Sequence, residues 1–63
     1  MTVGYLVSEI NFDRVHICVK RRANDILIPL GGGSPEDVLR RFGLFDICYI
    51  YVADNVVNIV IKG

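Results

Sequence analysis

Short apolar runs broken by turn-forming clusters dominate the chain, and only one stretch carries the chemistry of a helix. Val3 to Ile10 is rich in β-branched and aromatic residues and stops at Asn11-Phe12-Asp13, which predicts a first strand closed by a turn. From Arg14 to Lys20 polar and apolar positions alternate: Val15, Ile17 and Val19 face one way, and Arg14, His16, Cys18 and Lys20 the other. Arg21-Arg22-Ala23-Asn24-Asp25 reads as a polar turn into a third strand, Ile26 to Leu30. Pro29 has no backbone donor and therefore predicts an edge position or a strand end there.

Gly31, Gly32 and Gly33 read as a flexible loop leading into the helix. Ser34 has the chemistry of an N-cap, Pro35 suits the first helical position, and Glu36 and Asp37 favour the positive end of the helix dipole. Val38, Leu39 and Phe42 form the predicted apolar stripe, with Arg40 and Arg41 off it near the C-terminus. Gly43 in a left-handed conformation would close the helix and set Leu44 against Leu39.

The last stretch predicts a hairpin. A two-residue turn at Asp54-Asn55 pairs Val52 with Val57, Ile50 with Ile59 and Cys48 with Ile61, all on one face. The opposite face then carries Ile47, Tyr49, Tyr51, Ala53, Val56, Asn58, Val60 and Lys62. That set is too apolar for open water and too polar for a dry core, so it is expected to be an interface that includes Tyr49, Tyr51 and Val60, or else to be covered by the N-terminal strands of the same chain. Together these elements predict a single strand-rich α+β domain over 1–63, in the order β-β-β-α-β-β, with one short helix against an antiparallel sheet.

Size changes the picture. A domain of 63 residues buries only about 60% of the surface its unfolded chain exposes, and folds this small usually add disulfides, a metal or subunit association. Two cysteines, Cys18 and Cys48, both in apolar runs, are too few for a disulfide scaffold. His16 and Cys18, with Cys48 as a distant third, lack the spacing of a metal site, so no metal and no cofactor are expected. The hydrophobic fraction of 52% points to association, most simply a homodimer. The N-terminus shows no basic stretch followed by an apolar core, and no apolar run nears the ~20 residues that span a bilayer. The expected compartment is the cytoplasm, of a cell or of a host cell if a mobile element encodes the protein, with no membrane partner.

Catalysis finds little support. His16 is the only histidine, and neither a G-x-S-x-G nucleophile motif nor a spaced carboxylate pair is present, so the chain is not expected to be an enzyme. The glycine run before the helix lacks both the Gly-Lys-Ser/Thr ending of a P-loop and the G-x-G-x-x-G spacing of a dinucleotide site. Charge is more informative. Net charge is zero, yet Arg14, Lys20, Arg21 and Arg22 gather in the second strand and the turn after it, while Glu36, Asp37, Asp46 and Asp54 lie in the second half. In a dimer the basic cluster would appear twice, as a surface for nucleic-acid phosphates.

The order of these pieces resembles the swapped-hairpin family of AbrB and MazE-like DNA-binding proteins. The matching features are a basic strand and turn leading to Ile28-Pro29, a short helix with Arg40-Arg41 closed by Gly43-Leu44, and a final hairpin with Tyr51-Val52-Ala53-Asp54-Asn55 at its turn. The resemblance covers about three quarters of the chain. It departs at the strand from Val3 to Ile10, at the three glycines and in net charge. It implies an intertwined homodimer, a transcription regulator or antitoxin, that binds duplex DNA through Lys20, Arg21 and Arg22 with Arg14. The alternative expectation is a protein-binding module, or a phage inhibitor, that meets a larger protein through a sheet edge or the face of Tyr49, Tyr51 and Val60.

Overall fold

A computed structural model describes residues 1–9 and 15–62. Its elements are α1 (Val3–Glu9), β1 (His16–Ala23), β2 (Ile26–Gly33), α2 (Pro35–Phe42), β3 (Ile47–Ala53) and β4 (Val56–Ile61). The strands form one mixed sheet in the order β2-β1-β4-β3, so the α+β class holds. Among the described residues, no helix is long and apolar enough to cross a membrane.

Over Val3–Glu9 the expected first strand is instead a helix, α1, while Ile10 and the expected turn at Asn11-Phe12-Asp13 lie outside the described residues. Val3, Leu6 and Val7 recur at helical spacing, and all three pack into the core. Thr2 caps the start, its hydroxyl accepting from the Tyr5 amide at 3.1 Å. The Val3 and Gly4 amides donate to the Phe45 and Gly43 carbonyls, both at 2.9 Å, so helix donors that would otherwise lack partners are satisfied by the loop after α2. Gly4 permits that approach, since a Cβ there would stand 2.8 Å from the Gly43 carbonyl oxygen. The enrichment in β-branched residues was a weaker signal than this period and these partners.

The sheet is not wholly antiparallel, because β4 runs parallel to β1. After β2, the chain passes through α2 on one face and re-enters as β3 at the far side, and the hairpin returns β4 into the gap beside β1. The most buried strand, β4, thereby takes a central place with neighbours on both sides. Ile17, Val19, Ile59 and Ile61 pack on one face against Val3 and Leu6 of α1 and Val38 and Phe42 of α2.

The first hairpin differs from expectation in extent. Arg21 and Arg22 belong to β1, and the turn is Asn24-Asp25, with Asn24 at φ 57°. The three glycines belong to β2, with Ile17 opposite Gly33, Cys18 opposite Gly32 and Val19 opposite Gly31, and do not form a loop. A Cβ at Gly32 would stand 2.3 Å from the Ile17 carbonyl oxygen, so the close strand approach requires glycine. β2 is an edge strand, as Pro29 predicts, and its pairing is broken by a bulge opposite Val19/Lys20.

α2 begins as expected. Ser34 Oγ accepts from the Asp37 amide at 3.3 Å, and Pro35 sits in the first turn. Ser34→Ala should cost about 1 kcal/mol, measured as a lower urea midpoint at an unchanged slope. The C-terminus departs from the expected left-handed stop: Gly43 has φ −57° and ψ −29°. Leu44 is 96% exposed and does not pack on Leu39, itself 42% exposed. In place of that stop, the Gly43 amide donates to the Leu39 carbonyl at 3.0 Å, and the Gly43 carbonyl accepts from α1.

In the second hairpin, Asp54 and Asn55 have φ 53° and 62°, the primed turn that matches strand twist. Val52 pairs with Val57 and Ile50 with Ile59, as expected. Beyond them a bulge at Cys48 breaks the register, so Ile61 faces Ile47 and not Cys48. Ile47 therefore leaves the expected interface face and packs against the core.

Candidate functional site

Both helices pack on one side of the sheet, leaving the other side uncovered by any described residue of the chain. Paired residues share a face, so the registers assign that side. β1 contributes His16, Cys18, Lys20 and Arg22, and β2 contributes Leu27, Pro29 and Gly32. β3 contributes Tyr49, Tyr51 and Ala53, and β4 contributes Val56, Asn58 and Val60. Two groups of residues that looked separate along the chain, the basic second strand and the tyrosine hairpin, therefore form one surface, because parallel pairing sets β4 directly between β1 and β3.

The surface has an ordered interior. Val60 is 0% exposed without a helix above it, since its cross-strand neighbours are Lys20 and Tyr49. Asn58 lies between Cys18 and Tyr51 and donates from its amide to the Val56 carbonyl at 3.1 Å. The Lys20 ammonium reaches across β4, donates to the Tyr51 hydroxyl at 2.9 Å and lies 5.4 Å from the centre of that ring. This hydrogen bond raises the Lys20 pKa above the ordinary lysine value, outweighing the partial loss of hydration, so the group stays cationic through the physiological range. Tyr49 and Tyr51, two positions apart on β3, have ring centres 6.3 Å apart and planes inclined by 32°. His16, Cys18, Lys20 and Tyr51 line a shallow depression of about 340 Å3 that ends at Asp54.

Not every expected site residue is on this face. Arg21 lies opposite Ile28 and Ile61 in register and so on the helix side, away from Lys20 and Arg22. Arg14 falls outside the described residues. The Arg22 guanidinium donates to the Asn24 carbonyl at 3.3 Å, which holds it at the end of the hairpin.

No strand position on the uncovered face is acidic among the described residues. Glu9, Glu36 and Asp37 are on the helices, Asp25 and Asp54 are in turns, and Asp46 precedes β3. In a chain of zero net charge, the described charged strand residues of the bare face are thus the cations Lys20 and Arg22 alone, whereas the helix side carries both signs, with Arg21, Arg40 and Arg41 beside the acids of α2. Linear order conceals this, because residues far apart in sequence share the face only through strand pairing.

Other features carry less chemistry. Among the described residues, no three His, Cys, Asp or Glu side chains come together as a metal site would need. Cys18 and Cys48 are free thiols. A groove of about 530 Å3 between α1 and the end of α2 is lined by Thr2, Tyr5, Leu39, Leu44 and Phe45, together with Arg40 and Arg41, and its lining holds no Cys, His, Asp or Glu. Comparison with protein-family models, with curated proteins and with solved structures finds no match to this chain.

Proposed function

We propose that the chain is a nucleic-acid-binding module that lays a single strand across the uncovered sheet face, stacking bases on Tyr49 and Tyr51 and placing phosphates at Lys20 and Arg22. The observation that carries this reading is the meeting of cations and aromatic rings on one face whose described strand positions carry no acid and which no described helix covers. Unpaired bases stack on aromatic side chains displayed by a sheet, and a flat surface four strands wide suits a single strand better than the groove of a duplex. The Lys20–Tyr51 hydrogen bond fixes one ring and one cation in advance, so less side-chain freedom is lost on binding.

The test is fluorescence anisotropy of labelled single-stranded and duplex oligonucleotides at low and physiological salt. Two phosphate contacts should give a log–log salt slope of about −1.4 for a single strand. Lys20→Gln and Arg22→Gln should each weaken binding and flatten that slope, whereas Arg21→Gln, on the opposite face, should leave both unchanged. If Arg21→Gln weakens binding as much as Arg22→Gln, phosphates meet the strand edge and turn, as in the duplex arrangement, and the face assignment fails. Absence of binding even at low salt rejects nucleic acid altogether.

A second reading, recognition of a larger protein through the same face, draws on the apolar cluster of Tyr49, Tyr51 and Val60, since tyrosines held in place over a buried aliphatic residue make good interface anchors. In that case Tyr51→Arg should abolish capture of the partner protein, and unaltered capture would remove this face from consideration.

A further inference from the structure

The two edges of the sheet are built differently. β2 carries Pro29, a bulge and three glycines, features that discourage a further strand from pairing there. The other edge, β3, reads Ile-Cys-Tyr-Ile-Tyr-Val-Ala, with no charge, no proline and no glycine. Met1 and Thr2 occupy its start, where the Ile47 amide donates to the Met1 carbonyl at 2.8 Å and Thr2 bridges Asp46. Among the described residues, nothing pairs with this edge from Tyr49 to Ala53. In a two-residue hairpin the pair closing the turn, here Ala53 and Val56, exchanges hydrogen bonds, so by alternation Ile50 and Val52 direct their N–H and C=O groups away from β4. Their side chains lie on the helix side yet beyond the cover of the helices, 41% and 71% exposed.

We infer that a second copy of this chain covers this edge, with the β3 strands pairing antiparallel about a two-fold axis beside Tyr51 to make a continuous eight-stranded sheet. Three observations select a second copy. An antiparallel strand edge is complementary to itself, because the same row of donors and acceptors faces its rotated image. Net charge is zero, so two copies approach without overall repulsion. Met1 and Thr2 restrict overlap to Tyr49–Ala53, and within that window Ile50 of one copy falls opposite Val52 of the other, so each covers the other's exposed aliphatic group. Tyr51 then meets Tyr51 of the other copy on the uncovered face, a favourable cross-strand aromatic pair. The dimer thereby joins two tyrosine and lysine surfaces into one, and the extended platform exists only when both copies are present. This association stands on the edge of the sheet and does not depend on what the face binds.

The experiment is sedimentation velocity from the nanomolar to the high micromolar range, with hydrogen exchange read at the Ile50 and Val52 amides. Dimers that dissociate on dilution, with those two amides protected only at high concentration, are expected. Val52→Pro removes an outward-facing donor and leaves the ladder to β4 intact, and should give a monomer with an unchanged circular dichroism spectrum. Should that variant unfold, Ile50→Lys, which sets two ammonium groups near the axis, decides the matter with a dissociation constant raised roughly a hundredfold. A chain that stays monomeric throughout overturns the inference and leaves the nucleic-acid reading to its own titration. A dimer that survives Ile50→Lys with rapid exchange at Ile50 and Val52 overturns it equally, because association would then use another surface.

Discussion

Ile59→Ala is expected to destabilise the fold by about 3 kcal/mol, the largest effect of any single substitution considered. Ile59 is fully buried on β4, opposite Val19 of β1 and Ile50 of β3, and belongs to the same cluster as the α1 and α2 side chains. The cavity would open beneath both helices at once, where a small sheet has little room to collapse. A domain of 63 residues has a total stability of roughly 3–9 kcal/mol, so such a loss leaves a measurable unfolded population in buffer. Urea denaturation followed by circular dichroism measures it. A loss below about 1 kcal/mol would mean that the helices do not close over β4.

The second large effect concerns binding. Replacing Tyr49 and Tyr51 by alanine should weaken single-strand affinity by roughly 5- to 150-fold for each ring that stacks a base, with folding largely preserved. Tyr49 is exposed and Tyr51 half-buried, both on the face opposite the main core, so their removal exposes Val60 without opening the packed layer beneath the helices. Tyr51→Phe separates the two roles of that residue. It keeps the ring but removes the acceptor of the Lys20 ammonium, so affinity should fall by less than with alanine while the Lys20 pKa returns toward the ordinary lysine value. The sign of the linkage is that of a raised pKa: the contact favours the fold below the ordinary lysine value and is lost as pH rises past the raised one. If the double alanine variant binds as tightly as the parent at matched salt, bases do not stack on these rings, and the protein-recognition reading takes precedence.

Parts of the site were legible in the chain itself. The alternation in His16–Lys20 put His16, Cys18 and Lys20 on one face, and the Asp54-Asn55 turn placed Tyr49, Tyr51 and Val60 together. That these two groups form one surface was not legible, because it depends on parallel pairing of β1 with β4 across an intervening helix, and no local pattern encodes that pairing. Arg21 and Arg22 illustrate the same limit at short range. Read as a turn, both are plausible phosphate contacts, but as neighbours in a strand they point to opposite faces.

What the sequence alone determined is local and chemical. Ser34-Pro35 with Glu36 and Asp37 starts a helix because few other arrangements satisfy its first amides, Pro29 marks an edge because it has no donor, and Asp54-Asn55 accepts the positive φ values of a tight turn. The tertiary structure decided what depends on partners far along the chain. Val3–Glu9 is helical because its apolar stripe finds β1, β4 and α2 and its first amides find the Phe45 and Gly43 carbonyls, although its composition favours a strand. The glycines of β2 are strand residues because β1 passes too close for a side chain at Gly32. The Cys48 bulge turns Ile47 into the core, where burying an aliphatic group outweighs keeping a regular ladder. In each case a long-range contact overrode a weak local preference, since burial and backbone hydrogen bonding contribute more per residue than strand propensity does.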